Sequence, residues 1–318
     1  MKLLVTGASG FVGLPTCRRL LAGGHQVIAA VRRDDCALPP DVEVRRVAPL
    51  GPDTDWREAL RGCDAVIHLA ARAHVMRDRA ADRLALFRRI NRDGAVRLAE
   101  QAAASGVGRF VFVSSIKVNG EVTPIDRPFR ADDPPAATDP YGVSKAEAEA
   151  ALTGLAARTG LSLVMIRPPL VHGPGAKGNL AALLKVLRLG LPLPLGGVVN
   201  RRSLVGVDNL ADALTFLVER DAQGCFLVRD GNDVSTPQLI RLLAAGLGRR
   251  ACLPPVPPAL LRLAGALIGK RAAVERLIGS LVADDTPLRA LGWVPPVGLE
   301  DGLRAMGAAA LTSGGVPS

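Results

Sequence analysis

The chain has 318 residues, of which 48% are hydrophobic and 22% are charged, and this composition excludes general disorder. No apolar run approaches the ~20 residues that a membrane helix needs, and the most apolar segment, residues 258–269, is interrupted by Arg262. The formal net charge of +10 suits an anionic partner, but the arginines are dispersed and aromatic residues make up only 3%, which favours a pyrophosphate-bearing ligand over nucleic acid.

Short β-branched runs alternate with longer helical patterns through the first half of the chain, as in a parallel sheet with crossover helices. The predicted strands are residues 2–6, 26–31, 42–47, 64–69, 109–114 and 162–167, and the predicted helices are residues 11–22, 55–61, 82–105 and 140–159. This order indicates an α/β fold built on a Rossmann-type, doubly wound parallel sheet of six or seven strands.

The second half has fewer strand patterns and more proline- and glycine-rich loops. We therefore predict a dinucleotide-binding Rossmann domain over residues 1–167 and a smaller C-terminal α/β substrate domain over residues 168–318. The sequence leaves open whether part of residues 168–318 returns to pack in the Rossmann domain. The small, polar residues 312–318 are expected to fray.

The N-terminal residues and the cysteines indicate the cellular compartment. No apolar segment of secretory length follows Lys2, so we expect a cytoplasmic protein without membrane insertion. Five scattered cysteines, never in C-x-x-C spacing, favour reduced thiols over disulfides or zinc, and no metal site is predicted.

A glycine-rich turn, TGASGFVG, joins the first predicted strand to the first helix. Gly7, Gly10 and Gly13 stand where the backbone must approach a pyrophosphate, and a helix N-terminus stabilises the phosphate charge. A plain tight turn is the alternative, but the position between strand and helix favours a dinucleotide site. Phe11 and Val12 are expected to contribute to it.

Cofactor choice should be set at the end of the second strand, where a carboxylate about 20 residues beyond the glycines would bind a ribose 2′-hydroxyl. The chain has Arg32 and Arg33 there. Either guanidinium can pair with a 2′-phosphate, so NADP(H) is favoured and NAD(H) is the alternative. Solvated arginines with a relaxed preference are the competing interpretation.

Tyr141 is the only tyrosine of the chain, and Lys145 lies one helical turn beyond it on the same face. A phenol with a pKa of about 10 is a poor proton-transfer group at neutral pH, and a neighbouring ammonium lowers that pKa. We therefore predict that Tyr141 is a proton shuttle. A surface tyrosine with a chance lysine is the alternative.

The glycine spacing G-x-x-G-x-x-G resembles the extended short-chain dehydrogenases/reductases, the NAD-dependent epimerase/dehydratase family. Further motifs agree with this family in the same order along the chain, and they are DAVIHLAA, the Ser114-Ser115 pair, Y-x-x-x-K and Arg167-Pro168-Pro169. The resemblance implies that Lys145 also holds the nicotinamide ribose and that Ser115 hydrogen-bonds the reacting oxygen. It further implies a nicotinamide side lined by Leu69, Ala70, Ala71 and Pro168.

The resemblance also suggests substrate contacts. Relatives that bind uridine diphosphate sugars carry an asparagine and an arginine that Asn179 and Arg202 match, and Leu193 lies in a run, LPLPL, that resembles the segment cradling the pyrimidine. The segment SSIKVNG departs from the Tyr-Gly ending usual in sugar 4-epimerases and resembles bacterial reductases that make 6-deoxy amino sugars. Lys117 of this segment is expected to reach the sugar. Pro49 departs from the family, in which an aspartate near the adenine is common.

His74 and His172 flank the predicted pocket and are interpreted as packing residues without a catalytic role. The leading function is reduction of the 4-keto group of a UDP-4-keto-6-deoxy-(N-acetyl)hexose for surface polysaccharide synthesis. The runner-up is a UDP-hexose 4-epimerase with tightly held NAD. A non-catalytic NADP-binding regulator or assembly subunit is disfavoured because Ser115, Tyr141 and Lys145 occur together. A homodimer is the expected assembly.

Overall fold

The computed structural model describes residues 1–33, 36–73 and 82–312. The dinucleotide-binding half contains β1 (Lys2–Thr6), α1 (Gly13–Ala22), β2 (Gln26–Val31), β3 (Glu43–Arg46), α2 (Arg57–Leu60), β4 (Ala65–His68), α3 (Arg83–Phe87), a π-helical turn (Arg88–Asp93), α4 (Gly94–Ala104), β5 (Arg109–Val113), a 3₁₀ turn (Ile116–Val118), α5 (Pro140–Thr159) and β6 (Ser162–Arg167). After them come β7 (Leu170–His172), α6 (Asn179–Arg188), β8 (Leu204–Gly206), α7 (Val207–Glu219), β9 (Gly224–Leu227), α8 (Thr236–Gly246), α9 (Pro258–Leu267), α10 (Arg271–Ile278), α11 (Thr286–Ala290) and α12 (Leu299–Thr312).

The main sheet has seven parallel strands in the order β3-β2-β1-β4-β5-β6-β9. Strand β1 is buried along nearly its whole length, because helices cover both faces of the sheet. The strand order reverses between β1 and β4, and ligands of such sheets bind at the carboxyl ends of the strands near that point. The predicted Rossmann-type doubly wound fold is confirmed.

Several elements beyond residue 167 belong to the sheet region, among them α7, β9 and α11. Strand β9 pairs with β6 from Val164↔Gly224 to Arg167↔Leu227, and α7 packs against α1 in the core below it. The small second sheet, β7 with β8, and helices α6, α8 and α12 build a separate apolar cluster. The division at residue 167 therefore stays a prediction, with chain return into the first region visible in α7 and β9.

Helix α5 shows how local residues set the position of the predicted shuttle. Asp139 is its N-cap and accepts hydrogen bonds from the backbone N–H groups of Tyr141 and Gly142. Pro140 occupies the first turn, where its missing N–H costs nothing, and Gly160 ends the helix in the left-handed region at φ 75°. Among the described residues, no helix is long and apolar enough to cross a bilayer.

Candidate active site

Four loops that follow adjacent central strands meet at one edge of the sheet. They are the glycine turn after β1, the Leu69 turn after β4, the Ser115 segment after β5 and the Pro168 segment after β6. Backbone hydrogen bonds join them in pairs: Leu69 N donates to Thr6 O at 3.2 Å, and Ile116 N donates to Pro168 O at 3.0 Å. The segments that the sequence motifs indicate thus come together at the topological switch point, where ligands of doubly wound sheets bind, and we refer to this region as the cleft.

The glycine turn leaves room for no side chain at two of its glycines. A Cβ on Gly13 would lie 2.1 Å from Gly7 O, and one on Gly7, whose φ is +69°, would lie 2.9 Å from the backbone nitrogen of Ala70. Gly10 N closes the turn by donating to Gly7 O at 2.9 Å. This bare backbone at the N-terminus of α1 fits the diphosphate of a dinucleotide cofactor. Phe11 and Val12 lie partly exposed in the same turn.

Thr6 connects the glycine turn to the turn after β4, a role that no sequence motif indicates. Its hydroxyl accepts a hydrogen bond from Ala70 N at 3.2 Å and lies 2.7 Å from Nδ1 of His68. Burial lowers the pKa of His68 to about 3, so this imidazole is neutral and structural. Leu69, Ala70 and Ala71 are partly exposed beside it, on the cleft side where the nicotinamide is expected.

Ser115, Tyr141 and Lys145 lie together at the end of β5. Ser115 caps the 3₁₀ turn, with its Oγ accepting from Lys117 N at 3.3 Å, and the partly buried Tyr141 ring packs edge-on against Phe87. Lys145 is buried, its Nζ donates to Val113 O at 2.8 Å, and it lies 4.3 Å from the centre of the Phe112 ring. The helix therefore brings both predicted side chains to the strand end that carries Ser115.

The pKa shift of Tyr141 differs in direction from the shift expected from the sequence. Burial, with a contribution from the Asp139 carboxylate, raises the pKa of Tyr141 to about 12, while the Ser115 hydroxyl acts toward a lower value. Burial lowers the pKa of Lys145 to about 7, against an opposing effect of the Glu149 carboxylate. The predicted lowering of the Tyr141 pKa is wrong for this arrangement, because desolvation of the phenolate has the largest effect and outweighs the Ser115 hydrogen bond. At neutral pH the phenol is protonated and can donate a proton.

Lys117 pairs with the N-cap residue of α5. Its Nζ lies 2.8 Å from Oδ2 of Asp139 and 3.8 Å from Oε1 of Glu121. The Lys117 ammonium and the backbone N–H groups that Asp139 caps hold the pKa of this carboxyl below its usual range, although burial acts in the other direction. The ammonium thus balances the carboxylate nearest the phenol of Tyr141, and contact with a sugar stays a prediction.

A buried polar bridge between α5 and the π-helical turn was missed by the sequence analysis. Asn91 Nδ2 donates to Ser144 Oγ at 3.0 Å, and Asn91 Oδ1 accepts from Arg72 N at 2.8 Å. Ser144 lies between Tyr141 and Lys145 in the sequence, so this bridge fixes α5 against the loop after β4. A π-helical turn often marks a functional site, but residues 82–105 carry only an ordinary helical pattern.

The other predicted contacts lie on separate elements of the chain. Arg32 and Arg33 are exposed at the end of β2, and Pro168 is buried. Asn179 is exposed at the start of α6, and Leu193 is partly buried.

Arg202 is partly buried, and its Nη1 donates to the carbonyls of Arg276 at 2.7 Å and Gly279 at 3.2 Å. These bonds hold the arginine against the end of α10. Burial lowers its pKa.

The two histidines that the sequence places near the pocket are His172 and His74. His172 is buried, with Nε2 lying 2.6 Å from Oδ2 of Asp230, which also accepts a hydrogen bond from Gly206 N. This network fits the packing role predicted for His172. His74 lies outside the described residues. Pro49 is exposed, and its carbonyl accepts a hydrogen bond from Thr54.

Comparison with known proteins agrees with this geometry. Residues 3–226 match the model of the NAD dependent epimerase/dehydratase family. The chain is 41% identical over 312 residues to a UDP-glucose 4-epimerase of Vibrio cholerae, covering 95% of this chain and 93% of the relative. It is 31% identical to a 3-diazoavenalumate denitrifying reductase of a Streptomyces species, covering 93% of this chain and 96% of that protein.

A solved structure shares both fold and sequence. The UDP-glucose 4-epimerase of Thermus thermophilus, in complex with NAD, superimposes with a TM-score of 0.78 at 26% identity, covering 99% of this chain and 100% of that one. The family match spans the glycine turn, the Ser115 segment and the Tyr141–Lys145 pair. The chain belongs to the NAD dependent epimerase/dehydratase family of extended short-chain dehydrogenases/reductases.

Proposed function

We propose that the protein transfers hydride at carbon 4 of a UDP-linked hexose and that it runs as a reductase of a 4-keto-6-deoxy sugar. The observation that carries this proposal is the meeting of Ser115 and a protonated Tyr141 at the cleft edge of the sheet. A protonated phenol suits the reductive direction, in which a new alkoxide needs a proton.

The chain's residues divide the work as follows. When bound, a nicotinamide cofactor supplies the hydride that the carbonyl carbon gains. Ser115 donates a hydrogen bond to the sugar oxygen, and Tyr141 transfers its proton to that oxygen as the carbonyl becomes a hydroxyl. Lys145, held at Val113 O, orients the ribose and keeps positive charge beside the phenolate that is left.

The proposal extends to substrate and assembly. The guanidinium of Arg202 would pair with the diphosphate through the nitrogens that do not bind the α10 carbonyls, and Asn179 and Leu193 would contact the uridine. Replacement of Arg202 by alanine should raise the inhibition constant of UDP without changing that of the dinucleotide. An unchanged inhibition constant for UDP would exclude the contact between Arg202 and the diphosphate.

We also propose that the protein is a homodimer in the cytoplasm. Sedimentation velocity tests the assembly, and cell fractionation tests the location.

For the cofactor we propose a preference for NADPH, supported by the exposed Arg32 and Arg33 at the strand end. Dissociation constants for NADPH and NADH should be measured in the parent, in Arg32→Ala and in Arg33→Ala, with the exposed Arg250→Ala as control. Loss of a charge-assisted contact costs about 1.5 to 3 kcal/mol, which corresponds to roughly 10- to 150-fold for NADPH alone. Equal losses for both cofactors would show that the arginines do not recognise the phosphate.

A 4-epimerase is the second candidate, supported by the 41% identity to the Vibrio cholerae enzyme of that name. One experiment separates the two directions. The purified protein is offered a UDP-linked 4-keto-6-deoxy sugar with NADPH, and separately UDP-glucose or UDP-N-acetylglucosamine without added cofactor. Reduced product in the first reaction alone supports the reductase, and a 4-epimer in the second supports the epimerase. No turnover in either would move the protein toward the non-catalytic regulator.

A further inference from the structure

Helices α9 and α10 form a hairpin that stands out on the surface of the second region. The two helices touch at Gly265, where an added Cβ would lie 2.6 Å from a methyl carbon of Val274. Gly265 is the only buried residue of α9, and Leu261 packs partly buried against the apolar cluster of the second region. The other leucines of this helix are exposed. We propose that this hairpin docks the protein onto an anionic lipid surface.

The apolar side chains of the hairpin form one continuous stripe. Leu260, Leu263 and Leu267 lie three and four residues apart, on one side of α9, and are 55%, 58% and 80% exposed. Ile268, in the turn that follows, is 67% exposed. Single exposed leucines are ordinary on a protein surface, but a contiguous apolar stripe marks an interaction site.

Basic side chains lie next to Ile268, in the turn that joins the two helices of the hairpin. Lys270 and Arg271 follow Ile268, are exposed, and form no ion pair within the described part of the chain. Arg262 is paired with Glu275 at 3.1 Å, and Glu275 is the one carboxylate among residues 258–278, against four cations. Apolar residues beside unpaired cations are the composition of helices that lie in a membrane interface.

Charge also decides between a lipid surface and a second copy of this chain. Two copies that met through the most exposed end of the stripe, at Leu267 and Ile268, would bring their Lys270 and Arg271 pairs near each other, and like charges at a desolvated interface are unfavourable. Anionic headgroups complement the same cations. Docking of this kind needs no membrane-spanning helix.

The hairpin is tied to the body of the protein beside the cleft. Arg276 of α10 lies 3.4 Å from Glu121, which follows the 3₁₀ turn after Ser115, and the Arg276 carbonyl accepts from Arg202. A membrane-docked hairpin would therefore hold the segment that follows Ser115 near the lipid surface.

The test is cosedimentation with vesicles of phosphatidylcholine alone and of phosphatidylcholine with 30% phosphatidylglycerol. We expect binding to the anionic vesicles at low salt and a loss of at least fivefold in 0.5 M NaCl, since salt screens exposed charges. The double variant Leu267→Glu/Ile268→Glu should bind at least tenfold more weakly, and Lys270→Glu/Arg271→Glu should lose the preference for anionic lipid. Val294→Glu, at an apolar site 69% exposed outside the hairpin, is the matched control and should bind as the parent does.

Several results would overturn the proposal. One is absence of binding to anionic vesicles at low salt, and another is equal binding by the Leu267→Glu/Ile268→Glu variant and the parent. A dimer that dissociates in this variant, without vesicle binding by the parent, would assign the stripe to a second copy. All replaced residues are exposed, so circular dichroism and dinucleotide affinity should match the parent and separate a docking defect from misfolding.

Discussion

Replacing Glu149 by glutamine tests how far the end of β6 depends on one buried ion pair. Arg167 donates to Glu149 from Nε at 3.0 and 3.2 Å and from Nη2 at 2.6 Å, and the two side chains are 6% and 7% exposed. Removing one charge from a buried pair costs about 3 to 5 kcal/mol, because the other charge is left uncompensated. Arg167 retains hydrogen bonds to Asn119 and Ala131, so we expect the lower end, about 3 kcal/mol.

The loss can be measured by urea unfolding, followed through the buried Trp56 and Trp293. With a urea dependence on the order of 3 kcal/mol/M, the midpoint should fall by about 1 M. Glu58→Gln removes the carboxylate of an exposed pair with Arg61 and is the control, for which less than about 0.5 kcal/mol is expected. If Glu149→Gln and Glu58→Gln unfold at the same urea concentration, the buried pair does not stabilise the site as argued.

Tyr141→Phe keeps the ring and deletes the hydroxyl, so turnover at saturating substrate and cofactor should fall by roughly 10² to 10⁴, and a loss below threefold would exclude Tyr141 as proton donor. Lys145 has a folded pKa of about 7, lowered from an unfolded value of 10.5, so the folded state binds its proton less tightly. The urea stability of the parent, minus that of Lys145→Met, should therefore rise with pH between those two values, and a flat difference would contradict the burial argument. Gly13→Ala places a methyl group against Gly7 O and should weaken dinucleotide binding more than tenfold. The control is Gly51→Ala, whose methyl group meets open space and should leave the affinity unchanged. Equal dinucleotide affinities of the two variants in fluorescence titration would refute this account of the turn.

The strands of the first half could be predicted to within one or two residues because all of them except β3 are buried runs bounded by turns. Strand β9 could not, since Gly224, Cys225, Phe226 and Leu227 show neither β-branching nor alternation, and only pairing with β6 makes them a strand. The π-helical turn was missed for a similar reason, because one widened turn leaves the helical period of the surrounding residues almost unchanged.

The site was predicted in part. The spacing of Tyr141 and Lys145 indicated their proximity, and the glycine turn indicated the cleft. The direction of the Tyr141 pKa shift could not be predicted, because its largest cause is burial of the phenol, which depends on contacts that are not local in sequence. The role of Asn91 could not be predicted either, because its hydrogen-bond partner Ser144 lies on another helix, far away in the sequence.

The pairing of β6 with β9 also has a consequence during synthesis. When the ribosome has produced residues 1–167, β6 has a partner on one side only, and the face of α1 that α7 covers is open. An unpaired edge beside exposed core residues is prone to join a neighbouring chain. Until residues 207–227 emerge, the nascent protein has to be kept from such contacts, and a fragment ending at residue 167 is expected to aggregate.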